Sequence, residues 1–350
     1  MSMTPLERWL AVLRREKPDR VPMDYWGTND FTLQLMTYLG CPNKRATLER
    51  LHIDFVVKPK AVYVGLPRPR GLDAFGCRFS FVGHEAGAFE TCVTHPLADF
   101  KSAEEIERDY KWPSPDWWDY STIADQVKGF EDYPVQAGGS ELFTIYRNLR
   151  GPDQALADLA ENPKMVHYIL DKLFNLAYQD TLRIFESIPD RVTLCPVAEN
   201  LGDPTDLMIA PRHIREFLLP GMKRMINLAH EGGAFVFHPD EGNIRRMIPD
   251  LIEAGIDVLN PIQWRCPGME RVALKRDFGG AVVFHGGMDN QITLPYGSEE
   301  DVRMEVRLNL RILGKGGGYI LASCHNLQSS IPVENVVAMY DTGYAEGQVY

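Results

Sequence analysis

No stretch of this chain is apolar for the roughly 18–20 residues that a membrane span needs, and its six cysteines, at 41, 77, 92, 195, 266 and 324, include no CxxC pair. The first absence argues against a membrane-spanning helix. The second leaves no disulfide framework and suits a reducing compartment. Basic charge is also in short supply: 37 Lys and Arg stand against 48 Asp and Glu, a net charge of −11. A chain this acidic is a poor partner for nucleic acid or for anionic membranes, both of which need clustered cations. The opening segment, MSMTPLERWLAVLRREKPDRVP, has neither an apolar signal core nor a cleavage site, so a cytoplasmic location is expected. No glycine-rich dinucleotide fingerprint follows the first expected strand, which argues against a doubly wound nucleotide-binding sheet. No low-complexity linker divides the chain, and one domain over 1–350 is expected.

What is present is an alternation of strands and helices. Short β-rich runs predict strands at 21–26, 55–64, 133–137, 192–198, 234–238, 256–260, 281–285 and 318–323. A hairpin is expected over 71–95, turning at Glu85–Gly87, and acidic helical sequence over 101–131 broken by WPSPDWW. Helices are expected over 153–188 with a break near 161–165, over 211–230, and over 298–314 with a serine cap, acidic first turn and glycine stop. Ile244, Met247, Ile248, Leu251 and Ile252 recur at helical spacing and predict a buried helix face. Eight strands alternating with helices predict a single (β/α)8 barrel.

One strand unit occurs almost twice: GGAFVFH at 232–238 returns 47 residues later as GGAVVFH at 279–285, each ending on a histidine. In a barrel of this kind the site lies at the carboxyl ends of the strands. The residues expected there are Tyr25, Trp26, Ser140, Glu141, Glu199, Asn200, His238 with Asp240, Asn260, His285, Cys324 and His325. His238, Asp240, Glu199 and Cys324 or His325 supply nitrogen, sulfur and carboxylate donors suited to Zn²⁺. For His285, followed by GGMD, substrate contact and metal ligation both stay open.

At these residues the chain resembles the uroporphyrinogen decarboxylase superfamily. The likeness runs from TPLERWLAVLRREKPDRVP to IPVENVVAMYDTG and is strongest in FVFHPDEGNIRRMIPDLIEAGIDVLNPIQ, FHGGMDNQITLPYGS and GGGYILASCHNLQSSIPVENV. The resemblance implies a (β/α)8 barrel, an enzyme and, as a further possibility, a homodimer. Its decarboxylase branch carries a basic RQAGR-type segment after the first strand and an aspartate after the second. Here those places read YWGTNDF and KPKAVYVGLPRPRG, and the branch's late histidine aligns with His325. Its cobalamin-dependent methyltransferase branch holds zinc on an H-x-C pair and a late cysteine; here the pair is His238 and Asp240, and the late position is His325, preceded by Cys324. That harder donor set suits an oxygen substrate better than a thiol.

The resemblance therefore implies a zinc-dependent methyltransferase moving a methyl group between a methoxylated small molecule and cobalamin. The chain has no D-x-H-x-x-G corrinoid motif, so the corrinoid is expected on a separate partner protein. In this reading His238, Asp240, Cys324 and His325 hold the metal. Glu199, His285 and Tyr25 serve catalysis, and Trp26, Glu141, Asn260, Trp264 and Asp289 contact substrate. The alternatives are metal-free decarboxylation of a porphyrinogen and non-catalytic binding of a corrinoid or tetrapyrrole.

Overall fold

The computed structural model describes residues 2–84 and 87–348. Among them are ten strands: β1 (Val62–Tyr63), β2 (Arg78–His84), β3 (Gly87–Thr94), β4 (Trp118–Asp119), β5 (Ser140–Glu141), β6 (Leu194–Ala198), β7 (Phe235–Pro239), β8 (Val258–Asn260), β9 (Val283–Met288) and β10 (Tyr319–Ser323). The last six lie side by side in chain order and pair in parallel. Single bridges complete the ring: Met23 pairs with Leu321 of β10, Val57 with Val135, and Gln136 with Leu194 of β6. The Asp54 N–H donates to the Met23 carbonyl and joins the first two of these segments. The ring is a closed (β/α)8 barrel.

Parallel strands with side chains facing both the barrel interior and the helical layer read as unbroken apolar runs. β10 (YILAS) and β9 (VFHGGM) are accordingly buried along their whole length. The helix Pro5–Leu13, fixed at its start by a Thr4–Glu7 capping box, packs Trp9, Val12 and Leu13 against Leu194, Phe237, Val258, Val283 and Ile320. Four of those five residues sit at the starts of β6, β8, β9 and β10, so this helix closes the barrel at the end opposite the strand termini. Arg8 and Arg20 share the buried Asp54 carboxylate at 2.5 and 2.7 Å beneath it.

Several expected elements are cut short by proline. The strand expected over 55–64 is a single bridge at Val57, followed by β1, which leaves the barrel to pair antiparallel with β4. Pro59 has no N–H for the ladder and separates the two. The helix expected over 211–230 begins as Pro211–His213, widens to a π-turn over Ile214–Leu218 and resumes as Leu219–Glu231; Pro220 removes the N–H that would continue the ordinary pattern there. Ile244, Met247, Ile248 and Leu251 of the expected stripe are buried and Ile252 is half-buried, but the helix starts only at Ile248, with Pro249 in the first turn. The break near 161–165 falls at Asn162, between helices Pro152–Glu161 and Pro163–Ser187. Over 101–131 the helices are short, Ala103–Asp109 and Ile123–Val127. The hairpin is β2–β3; residues 85 and 86 of its expected turn lie outside the described residues. None of the helices is long and apolar enough to cross a membrane, among the described residues.

Candidate active site

The expected site residues fall into three groups around the mouth. The first lies where β6 and β7 end. His238 is fully buried, and its Nδ1 lies 2.6 Å from the Val197 carbonyl, so that nitrogen carries the proton and Nε2 presents its lone pair. Nε2 stands 3.5 Å from Asp240 Oδ2, too far for an ordinary hydrogen bond, and neither atom has another partner. The other Asp240 oxygen accepts from the Leu201 N–H at 2.8 Å. Glu199 Oε2 accepts from the Phe143 N–H at 2.6 Å, while Oε1 is buried without a partner. Burial raises the Asp240 pKa and lifts that of Glu199 to about 8; the charges of Asp240 and Glu141 add to the effect on Glu199.

Glu199 and Asp240 line a cavity of about 480 Å³ together with Trp26, Ser140, Glu141 and Glu241 among others; His238 lies outside its lining. Burial, then the charges of Glu241 and Asp240, raises the pKa of Glu141 as well. His325 stands at the edge of this group, 3.1 Å from Glu241, whose hydrogen bond raises the imidazole pKa. Gly139 lets β5 approach β6: a Cβ there would lie 1.8 Å from the Pro196 carbonyl oxygen.

The second group surrounds His285. Its Nε2 donates to Asp24 Oδ2 at 3.1 Å, its Nδ1 faces the Asn260 amide at 2.7 Å, and its ring is enclosed by Trp9, Trp26 and Phe237. Asp24 also accepts from Trp26 Nε1 at 2.8 Å and from the Tyr25 N–H. Burial opposes the Asp24 charge, but the hydrogen bond and charge of His285, with Lys58 nearby, hold its pKa below the usual range. Thus His285 and Asn260 are fully buried and line neither the 480 Å³ cavity nor the one beside Tyr25, among the described residues; the His285 ring backs Trp26 at 5.6 Å between centroids. Tyr25 turns its hydroxyl to Thr32 at 2.9 Å and its ring toward a separate cavity.

The third group lies apart. The Cys324 thiol donates to the Ile262 carbonyl at 3.1 Å and borders a small cavity of about 90 Å³ with Trp264, Arg265 and Asp289. Burial raises its pKa far above that of a free thiol. Trp264 Nε1 donates to Glu305, and Asp289 accepts from Arg265 and from the N–H groups of Gln291, Ile292 and Thr293. Asp289 and Trp264 are therefore tied into loop architecture.

The first group offers a zinc ion two facing donors. Two donors on a tetrahedral zinc lie roughly 3.3 Å apart, given bonds of about 2.0–2.1 Å, and His238 Nε2 and Asp240 Oδ2 stand 3.5 Å apart with nothing else to satisfy them. A bare imidazole lone pair facing a carboxylate oxygen is repulsive unless a cation or proton lies between them. Among the described residues no group of three or more His, Cys, Asp or Glu side chains is arranged to hold a metal ion. The fit thus rests on two donors, with the open Glu199 oxygen beside the same cavity. The structure does not bring Cys324 to them, and His325 joins through Glu241.

Asp24, Lys58 and Glu241 border or support the site and were not among the expected site residues, whereas Ser140, expected at a strand end, lines the cavity. A carboxylate inside the apolar run VPMDYW was the available signal for Asp24.

The uroporphyrinogen decarboxylase (URO-D) family matches residues 47–345. Uroporphyrinogen decarboxylases of Psychromonas ingrahamii and Anaeromyxobacter sp. are 22% and 26% identical over 206 and 215 residues, or 58% and 61% of this chain. The matched segments cover 52% and 54% of those proteins, so the chain spans about half the length of the curated relatives it matches. A methyltransferase from Methanosarcina mazei superposes over 99% of both chains with a TM-score of 0.69 at 18% identity, a likeness of fold.

Proposed function

The chain belongs to the uroporphyrinogen decarboxylase family, and on that premise we propose that it is a methyltransferase, moving a methyl group between a methoxylated small molecule and the corrinoid of a separate protein. The observation that carries this reading is the facing pair His238 Nε2 and Asp240 Oδ2, buried and open toward one another beneath a cavity. Zinc held by His238 and Asp240, with Glu199 beside them, would supply Lewis-acid polarisation of the ether oxygen.

The chain's own groups do the rest. Val197 fixes the His238 tautomer, and the Leu201 N–H fixes the Asp240 carboxylate. Glu199, its pKa lifted by burial to about 8 in the metal-free chain and its other oxygen held by the Phe143 N–H, has its free oxygen beside the cavity as the candidate general acid for the substrate oxygen that loses its methyl group. Trp26, held by Asp24 and backed by His285, forms a rigid wall of the cavity.

The second reading, decarboxylation of a porphyrinogen, is supported by the curated relatives. Against it, the segment after the first strand, YWGTNDF, contains no arginine for the substrate's carboxylates. Metal analysis separates the two. Purified protein supplied with zinc is expected to retain about one ion per chain, His238→Ala to lose it and Cys324→Ala to keep it, with methoxylated donors methylating reduced cobalamin in the wild type. Absence of zinc from the wild type, together with turnover of a porphyrinogen, would replace this reading with the decarboxylase.

A further inference from the structure

At the opposite end of the barrel, beside the helix that closes it, lies a group of cations that the chemistry of the mouth does not use. Arg15 follows the helix Pro5–Leu13, and Lys275 belongs to the helix Arg271–Phe278. Both reach the run GKGGG at 314–318, which leads into β10. The Lys275 ammonium donates to the Gly317 carbonyl at 2.6 Å. Arg15 Nη1 donates to the Gly279 carbonyl at 2.9 Å and passes so close to Gly318 that a Cβ there would lie 2.6 Å from it. Gly316, Gly317 and Gly318 all take positive φ, +74°, +86° and +72°, a course that glycine alone follows readily.

Neither cation meets a carboxylate among the described residues, although the chain has a net charge of −11. Asp257, whose charge acts on Arg15, is already bound by His230 at 2.9 Å and by the Val236 N–H at 2.7 Å. Burial, then the charge of Arg15, pushes the Lys275 pKa down to about 8, so the two cations repel one another across the glycine loop. Like charges held together without a counter-charge are costly. Each side chain spends a single contact on a carbonyl and keeps further N–H donors. The backbone N–H groups of Lys315, Gly316 and Gly318 likewise have no acceptor among the described residues.

We propose that Arg15, Lys275 and the glycine loop 314–318 form a binding site for a phosphate group, carried by the free anion or by a small phosphorylated molecule. Successive N–H groups in a turn make a concavity suited to an anion, and the absent side chain at Gly318 lets the guanidinium come down onto the loop. A tetrahedral oxyanion bridges ammonium and guanidinium through charge-assisted hydrogen bonds and removes their repulsion. It ties the closing helix to the segments that open β9 and β10, so that binding stabilises the barrel from its base. The site stands whether or not the mouth transfers methyl groups.

Thermal unfolding of the full chain, with inorganic phosphate exchanged for chloride at constant ionic strength, tests the inference, and calorimetric titration gives the affinity. The melting temperature is expected to rise with phosphate and to level off as the site fills. Lys275→Met and Arg15→Met are each expected to weaken phosphate binding at least about tenfold, roughly 1.4 kcal/mol. Lys275→Arg is expected to keep most of it, and Lys223→Met, exposed on the helix Leu219–Glu231, to change nothing. A cooperative melt in chloride reports that each variant is folded. His238→Ala is expected to bind phosphate as the wild type does, which separates the base from any metal at the mouth. A phosphate response that persists in both Lys275→Met and Arg15→Met, or that disappears in His238→Ala, would overturn the assignment. Displacement of phosphate by an equal concentration of acetate would show a general anion patch and overturn it too. Tighter binding of glycerol 3-phosphate than of inorganic phosphate would support the site as one for a phosphorylated molecule; the reverse order would support the free anion.

Discussion

At Glu199 a carboxyl is held beneath a cavity with one oxygen bonded and one free, and burial places its pKa at about 8. In the unfolded chain the same group titrates near 4.3. Because the folded value is the higher one, its contribution to stability is complete below the unfolded pKa and is lost as pH rises through 8. Zinc-free Glu199→Gln is therefore expected to melt with the wild type at pH 5 and above it at pH 9, as read by thermal unfolding at both values. A melting difference that does not change with pH would show that Glu199 is not the titrating group. The same residue shows how much of the site was legible beforehand. His238, Asp240 and Glu199 each follow an apolar run and could be read as strand ends. What linear order could not tell was direction: Cys324 and His325 are neighbours in sequence, yet one thiol turns to Ile262 and the other ring turns to Glu241. Lys58 escaped notice because a lysine between apolar residues and a proline reads as an ordinary surface charge.

The elements that build the mouth depend on close approach. β5 is two residues long and meets β6 only because Gly138 and Gly139 adopt positive φ, +70° and +98°. At Gly139 a side chain would collide with the Pro196 backbone oxygen, and that φ is itself strained for any residue with a Cβ. Gly139→Ala is expected to destabilise the barrel by about 2 kcal/mol or more, seen as a lower urea midpoint. The loss should extend to the lining of both cavities that share Ser140 and Glu141. Strands β6 to β10 were readable as apolar runs near their observed limits. The earlier barrel segments were placed as well, at 21–26, 55–64 and 133–137, but their extent was not legible, because Pro22, Pro59 and Pro134 reduce them to single bridges at Met23, Val57, Val135 and Gln136 whose pairing is set by the rest of the ring.

For the molecule as a whole, the barrel's lower end is sealed by one side chain more than any other. Trp9 is fully buried, donates Nε1 to the Asp54 carbonyl at 2.8 Å and touches the His285 ring that backs Trp26. Trp9→Ala is expected to cost about 3–5 kcal/mol of stability, measured by denaturant unfolding. It is also expected to weaken ligand binding at the opposite end, through His285 and Trp26; unchanged affinity in a destabilised variant would show that the two ends are independent.

The helix Pro5–Leu13 carries a further consequence for how the chain reaches its native state. Its burying surface comes from residues as distant in sequence as Val283 and Ile320. Contacts of such separation form late, since the intervening loop must close before they return any free energy. Trp9, Val12 and Leu13 are therefore expected to stay an unsheltered apolar stripe through much of folding, a feature that invites aggregation or chaperone capture. The ring can seal only when its last stave arrives, so the helix near the start of the chain is among the final pieces to lock.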